Sequence, residues 1–236
     1  MILASLVLGI VAPTSAADFF PLTPGMRWTY EEKGVSKITI VDEVGAKPVY
    51  FDDQPAYAIL RKSRFNQILD TTYYRVEGST VLIVGYAEDR RASTPNVGDP
   101  IDVSRQAEKK NVLLRLIPAM PVFKFDGGPT QWTYTEIPKI QGPAGDDPVK
   151  GDETAIVASA KPGPMRDVLG KKVETLIVHA EIDLGVGQLA KHQVENSIYG
   201  KGIGLVESTI KTTSPGNKTE ENHTTLIGMD QKREGG

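Results

Sequence analysis

The chain has no cysteine and only three histidines and two tryptophans among its 236 residues. Without cysteine there is no disulfide, no thiol nucleophile and no thiolate metal site. Three histidines are little to build a zinc centre from, since such a site takes three or four convergent ligands. A basic excess is missing too: 27 Lys and Arg stand against 30 Asp and Glu, interspersed, for a formal net charge of −3. Nucleic acid or an anionic membrane surface would need a positive cluster, so neither partner is expected. Beyond residue 17 no apolar run approaches the roughly 20 residues that cross a bilayer as a helix, so no integral span is expected in the mature chain. There is no Gly-x-Ser-x-Gly elbow, and no strand–turn–helix pattern to mount one. No enzymatic activity, cofactor or metal is expected from these residues.

The chain opens on a leader. Ile2 to Val11 is apolar and uncharged, Pro13 ends it, and Ser15-Ala16-Ala17 supplies small residues where a signal peptidase cuts. At about ten residues the run is too short to span a bilayer. Cutting after Ala17 leaves 219 of the 236 residues, enough for a self-sufficient core. A small residue stands where a lipid anchor needs cysteine, so the expected product is soluble, exported to the periplasm or the exterior, and not a lipoprotein.

The remaining chain says Trp-Thr-Tyr twice, at Trp28-Thr29-Tyr30 and Trp132-Thr133-Tyr134, with a Phe and a Gly ahead of each copy. Ile40-Val41 then has a counterpart in Ile156-Val157, Ile59-Leu60 in Leu176-Ile177, and Tyr74…Gly78…Val81-Leu82 in Tyr199…Gly202…Leu205-Val206. The offset grows from 104 residues at the tryptophans to 125 at the tyrosines, which places insertions in the second copy's loops. Residues 1–17 are read as signal peptide, 18–100 as a first β repeat, 101–230 as a second packed against it, and 231–236 as a polar tail.

Short alternating runs between Gly, Pro, Asp and Asn indicate an all-β antiparallel domain, either a barrel or half-barrel or two packed sheets. Strands are expected over Arg27–Glu32, Lys37–Asp42, Ala56–Lys62, Leu69–Val76 and Thr80–Tyr86. In the second half they fall over Val112–Ile117, Phe123–Phe125, Gln131–Ile137, Thr154–Ser159, Val173–Leu184, Leu189–Tyr199, Leu205–Lys211 and His223–Met229. Gly142–Gly151 and Lys161–Lys172 read as loops. Asp99-Pro100 could start a helix running to Lys110. In the Val173–Tyr199 stretch, Val178, Ala180, Ile182 and Leu184 share one face and His179, Glu181 and Asp183 the other. Pairing Ile182 with Ala190 and Val178 with Val194 puts apolar against apolar, sets Glu181 across from Lys191, and turns His192 inward with Val194, Asn196 and Ile198.

Phe19-Phe20-Pro21-Leu22 followed by Gly25, Trp28 and Tyr30 resembles the opening of secreted bacterial proteins in the uncharacterised TapB-like family. Tyr199-Gly200-Lys201-Gly202-Ile203-Gly204-Leu205-Val206 is similar to the Tyr-x-Lys-Gly-x-Gly-Leu-Val signature late in those chains. The resemblance implies an extracytoplasmic β-sheet protein and no particular reaction. A looser similarity in architecture links the chain to the LolA- and LolB-like lipoprotein carriers, although no helical plug for a concave sheet is legible.

The aromatic pairs Trp28/Tyr30 and Trp132/Tyr134, together with the inward-turned His192, are the residues most suited to line a ligand cleft, against the plainer reading of core anchors. His179, Glu181 and Asp183 read as the wet side of a sheet, and Asp52-Asp53 and Asp146-Asp147 as turn residues. The expected role is an exported, non-catalytic envelope protein that binds or carries a lipid or other apolar or amphipathic small molecule. The alternatives are an envelope protein–protein interaction module and an extracytoplasmic hydrolase.

Overall fold

The computed structural model describes residues 14–34, 36–90, 110–142, 148–185, 190–216 and 218–231. A single helical turn, α1 (Ala16–Phe19), leads into β1 (Met26–Lys33), β2 (Lys37–Val44), β3 (Val49–Phe51), β4 (Gln54–Ser63), β5 (Ile68–Glu77) and β6 (Thr80–Arg90). Then come β7 (Lys110–Lys124), β8 (Thr130–Glu136), β9 (Lys139–Gln141), β10 (Val149–Lys150), β11 (Thr154–Val168) and β12 (Lys171–Leu184). The last are β13 (Lys191–Gly200), β14 (Gly204–Ser214) and β15 (Lys218–Gln231).

The strands form one antiparallel sheet in the order β10-β9-β7-β6-β5-β4-β2-β1-β15-β14-β13-β12-β11-β8, with β3 paired only to β4. Among the described residues the end strands β10 and β8 do not pair, so the sheet is not closed, in keeping with a half-barrel or two packed sheets. Two six-stranded meanders are visible in that order, β1-β2-β4-β5-β6-β7 and β8-β11-β12-β13-β14-β15, joined where β1 pairs β15. Tyr30 opposes Ile40 across β1–β2, and Tyr134 opposes Ile156 across β8–β11. Thr29 likewise meets Val41, and Thr133 meets Val157. Residue 100 lies outside the described residues; β7 pairs with β6, on the side of the first meander.

The core lies inside the curl. One cluster joins Val81 of β6 and Phe123 of β7 to Trp132 of β8, Ile156, Ala158 and Ala160 of β11, Leu176 and Val178 of β12 and Tyr199 of β13. The two ends of the sheet therefore pack across the concave space without bonding edge to edge. A second cluster gathers Trp28, Tyr30, Ile40 and Val44 with Val168, Ile203 and Leu226. A third, on the opposite face of the sheet, forms where Phe51 of β3 covers Val84, Tyr73 and Leu82. Ala16 and Phe19 of α1 are buried in the first cluster, Phe19 edge-on to Phe125 at 5.4 Å. This one turn of four residues is the one helix among the described residues. The expected cut after Ala17 falls within it.

Several boundaries differ from expectation for identifiable reasons. Val112–Ile117 and Phe123 belong to the single strand β7, which ends at Lys124, one residue before Phe125. Its register against β6 slips between Ile83 and Gly85, and Pro118 sits in the slipped stretch, where no ladder donor is required. Lys161–Lys172 is not a loop: β11 runs on to Val168 and pairs with β12. β8 stops pairing at Ala160, so that side of β11 becomes a free edge beyond it, where Pro162 and Pro164 are tolerated. The reversal is made at Leu169-Gly170, both at positive φ (52° and 78°), as tight two-residue hairpin turns require. Asp52-Asp53, likewise both at positive φ, form the β3–β4 turn. Asp146-Asp147 lie outside the described residues, as does the expected helix from Asp99-Pro100 except for its last residue, Lys110, which opens β7.

The β12–β13 hairpin exists, but three residues out of the expected register. Ile182 pairs with Gln193, Val178 with Ser197 and Glu181 with Val194. β12 ends at Leu184 and β13 begins at Lys191; residues 186–189 lie outside the described residues. The expected faces of β12 hold, with Leu176, Val178 and Ala180 buried. An odd shift turns every β13 side chain over. His192 and Asn196 point outward, and Gln193, Glu195, Ser197 and Tyr199 point in. The expected Glu181–Lys191 pair does not form.

Candidate functional site

Within the curl lies a cavity of about 290 Å³. Phe20 and Pro21, from the segment after α1, stand at one wall, Trp28 and Tyr30 of β1 at another, and Tyr74 of β5 and Tyr199 of β13 at a third. Phe20 packs on Tyr74 at 5.1 Å and approaches Tyr199 at 6.3 Å, which itself lies 4.8 Å from Phe123. The Lys201–Ile203 turn between β13 and β14 reaches under Trp28. The indole N–H donates to the Ile203 carbonyl, and a Cβ on Gly204 (φ 95°) would stand 3.4 Å from the ring. Gly204 gives both the left-handed conformation and the close approach. Tyr30 donates to the Leu205 carbonyl at 3.2 Å.

The cavity is not purely apolar. Asp42 of β2 and Arg61 of β4 face each other as register partners, and the guanidinium holds the carboxylate at 3.2 and 3.5 Å. Glu32 of β1 approaches the same guanidinium at 3.4 Å, and Thr224 donates to Glu32 at 3.5 Å. Across the space Glu195 of β13 accepts a hydrogen bond from Ser197 at 2.6 Å, while Ser197 and Ser208 hydroxyls lie 2.8 Å apart. Among the described residues no cation reaches Glu195.

These environments move the acidities in one direction. Burial raises the Glu195 carboxyl, and the Ser197 hydrogen bond only partly opposes it. Burial also raises Asp42 despite the Arg61 charge beside it. The phenols of Tyr30, Tyr74 and Tyr199 are all pushed up by burial first; Asp42 adds for Tyr30 and Tyr74, and Glu195 for Tyr199. At neutral pH the tyrosines are neutral hydrogen-bonding rings, unfit to serve as bases.

Of the five residues singled out in the sequence, the structure brings Trp28 and Tyr30 to this cavity. Trp132 is buried in the first core cluster, its indole N–H without an acceptor among the described residues. Tyr134 is half-buried beside that cluster and donates to the Pro118 carbonyl at 3.4 Å. His192 is outward and exposed, 2.8 Å from Asp183. The other histidines are also on outer faces: His179 at 2.9 Å from Asn196, His223 at 3.0 Å from Thr209. Among the described residues no group of three or more His, Asp or Glu could hold a metal ion. No helix there is long and apolar enough to cross a membrane.

Sequence reasoning missed Glu32, Asp42, Arg61, Tyr74, Glu195 and Tyr199. A signal existed. Asp42 shares strand parity with the buried Ile40 and Val44, Arg61 with Ile59, and Glu195 with Ser197 and Tyr199, so each is a polar residue on a core-facing position.

No family model matches the chain, and no curated protein does. Among solved structures, a lipoprotein candidate from Parabacteroides distasonis is similar at 11% identity over 90% of this chain and 98% of its own, with TM-score 0.40. An exported-protein candidate with YmcC-like fold from Bacteroides fragilis is similar at 10% identity, over 90% and 99%, with TM-score 0.38. The hypothetical lipoprotein YmcC from Escherichia coli is similar at 12% identity, over 89% and 93%, with TM-score 0.28. No functional conclusion is taken from likeness of this degree. The TapB-like resemblance has no matching family model behind it.

Proposed function

We propose that this chain is an exported, non-catalytic protein of the cell envelope that holds a small amphipathic molecule inside its curled sheet. The observation that carries the reading is the cavity: about 290 Å³ at the small end of ligand-site sizes, walled by Phe20, Trp28, Tyr30, Tyr74 and Tyr199 and reached by a few polar groups. The leader-like residues 1–17 support export. The three histidines lie on outer faces, away from the cavity, so the described residues assemble no histidine-based acid–base pair within it. The same proposal treats the two meanders as copies of one unit, divided between β7 and β8. It is supported by the matched Tyr30/Ile40 and Tyr134/Ile156 pairings.

The test is to purify the secreted protein under native conditions, extract it with organic solvent and identify what is released by mass spectrometry. The expected result is one small amphiphile in near-stoichiometric amount. It should be absent from an Ile210→Trp variant whose new ring fills the cavity. Equal recovery from both proteins, or none from either, overturns the reading.

A further inference from the structure

We propose that the molecule held in the cavity is an organic cation: a protonated amine on an apolar body, its ammonium seated between Glu195 and the Asp42–Arg61–Glu32 group. The inference rests on the cavity being a ligand site and deepens that reading.

Among the described residues three carboxylates, Glu32, Asp42 and Glu195, line the cavity, and Arg61 is the one cation there. Arg61 is occupied by Asp42 at 3.2 Å and Glu32 at 3.4 Å. Glu195 on the facing wall has only the Ser197 hydroxyl at 2.6 Å. Glu195 is partly buried, and a carboxylate withdrawn from water normally finds a cation or several donors; among the described residues it has one donor and no cation. Tyr74, half-buried on the same cavity lining, makes no side-chain hydrogen bond among the described residues and lies in the field of Asp42, Arg61 and Glu195.

The walls point the same way. Trp28, Tyr30, Tyr74 and Tyr199 surround the space, and the electron-rich faces of such rings attract cations most strongly where water is excluded. An anionic ligand would meet three carboxylates and one already engaged guanidinium. A neutral hydrocarbon would fit the rings but leave Glu195 desolvated with a single donor. An ammonium ion brings three donors and the missing charge. Ile59, Ile83, Val122 and Ile210 offer the remaining surface to its apolar body.

The experiment titrates the full chain, freed of co-purified ligand, with hexylammonium, hexanol and hexanoate at equal ionic strength, read by calorimetry and by Trp28 fluorescence. Hexylammonium is expected to bind at least tenfold more tightly than hexanol, with hexanoate weakest. Glu195→Gln should bring hexylammonium down to the level of hexanol while hexanol binding is retained. Ser197→Ala removes the donor that competes for Glu195 and should hold or strengthen hexylammonium binding. If hexanol or hexanoate binds as tightly as hexylammonium, the cation assignment is overturned and the cavity reading survives. If none of the three binds, the cavity reading fails and takes this inference with it. An undiminished ammonium preference in Glu195→Gln, or a loss of it in Ser197→Ala, overturns the seat named here.

Discussion

Glu195 sets the pH behaviour of the empty protein. Its folded-state carboxyl titrates above the ordinary Glu range because burial penalises the charge. A carboxyl raised on folding favours the native state while both states are protonated, and that contribution is lost as pH climbs through the raised value. Glu195→Gln, which keeps an acceptor for Ser197, should therefore match the wild type near pH 4. At pH 7.5 it should be more stable by about 1–2 kcal/mol, the scale of an unsatisfied buried polar group. Asp42 is unchanged in both proteins and cancels. Thermal unfolding across that pH range checks it; a constant difference, or a less stable variant at pH 7.5, would refute it. Gly204 gives a second residue-scale prediction. Alanine there must hold φ 95° with its methyl 3.4 Å from the Trp28 ring. Gly204→Ala should cost about 1–2 kcal/mol in denaturant unfolding, mostly as backbone strain.

At the scale of elements, the β11–β12 hairpin shows what alternation can and cannot specify. Leu169 occupies a left-handed position that a leucine adopts only at a cost, whereas Asn-Gly is the preferred pair for such a turn. Leu169→Asn should stabilise the protein by about 0.5–1 kcal/mol, measured as a rise in urea midpoint with the slope unchanged. The faces of β12 were legible because Val178, Ala180 and Ile182 alternate with His179, Glu181 and Asp183. The register of β13 was not. Its inward positions Gln193, Glu195 and Ser197 are polar, so hydrophobic matching favoured the parity that buries Val194 and Ile198. The ligand site and the misread register thus have one cause: a strand that turns polar side chains inward hides its own face. The extension of β11 through Pro162 and Pro164 was hidden for a related reason, since proline is permitted only because β8 ends at Ala160.

At the scale of the whole molecule, the first core cluster ties β6 and β7 to β8, β11, β12 and β13. Neither meander keeps a complete core without the other, and the two should unfold as one unit. The tryptophans report on this separately, Trp28 from the first meander and Trp132 from the second. Trp28→Phe and Trp132→Phe should each give fluorescence and far-UV circular dichroism transitions with coincident midpoints. Two separated midpoints in either variant would show independent halves. Phe123, fully buried where the two ends of the sheet meet, should cost about 3–5 kcal/mol when cut to alanine. That loss should move both probes together.

From the order of residues alone came the all-β class, most strand positions and the turn at Asp52-Asp53. These are local matters, settled by two-residue periodicity and by which side chains tolerate positive φ. The tertiary structure alone decided that the sheet does not close and that α1 is buried against its core. It also decided that Glu32, Asp42 and Arg61, from neighbouring strands of the first half, and Glu195, from β13, meet around one space. Periodicity tells a side chain which face to take; only the curvature of the sheet decides which faces look at one another.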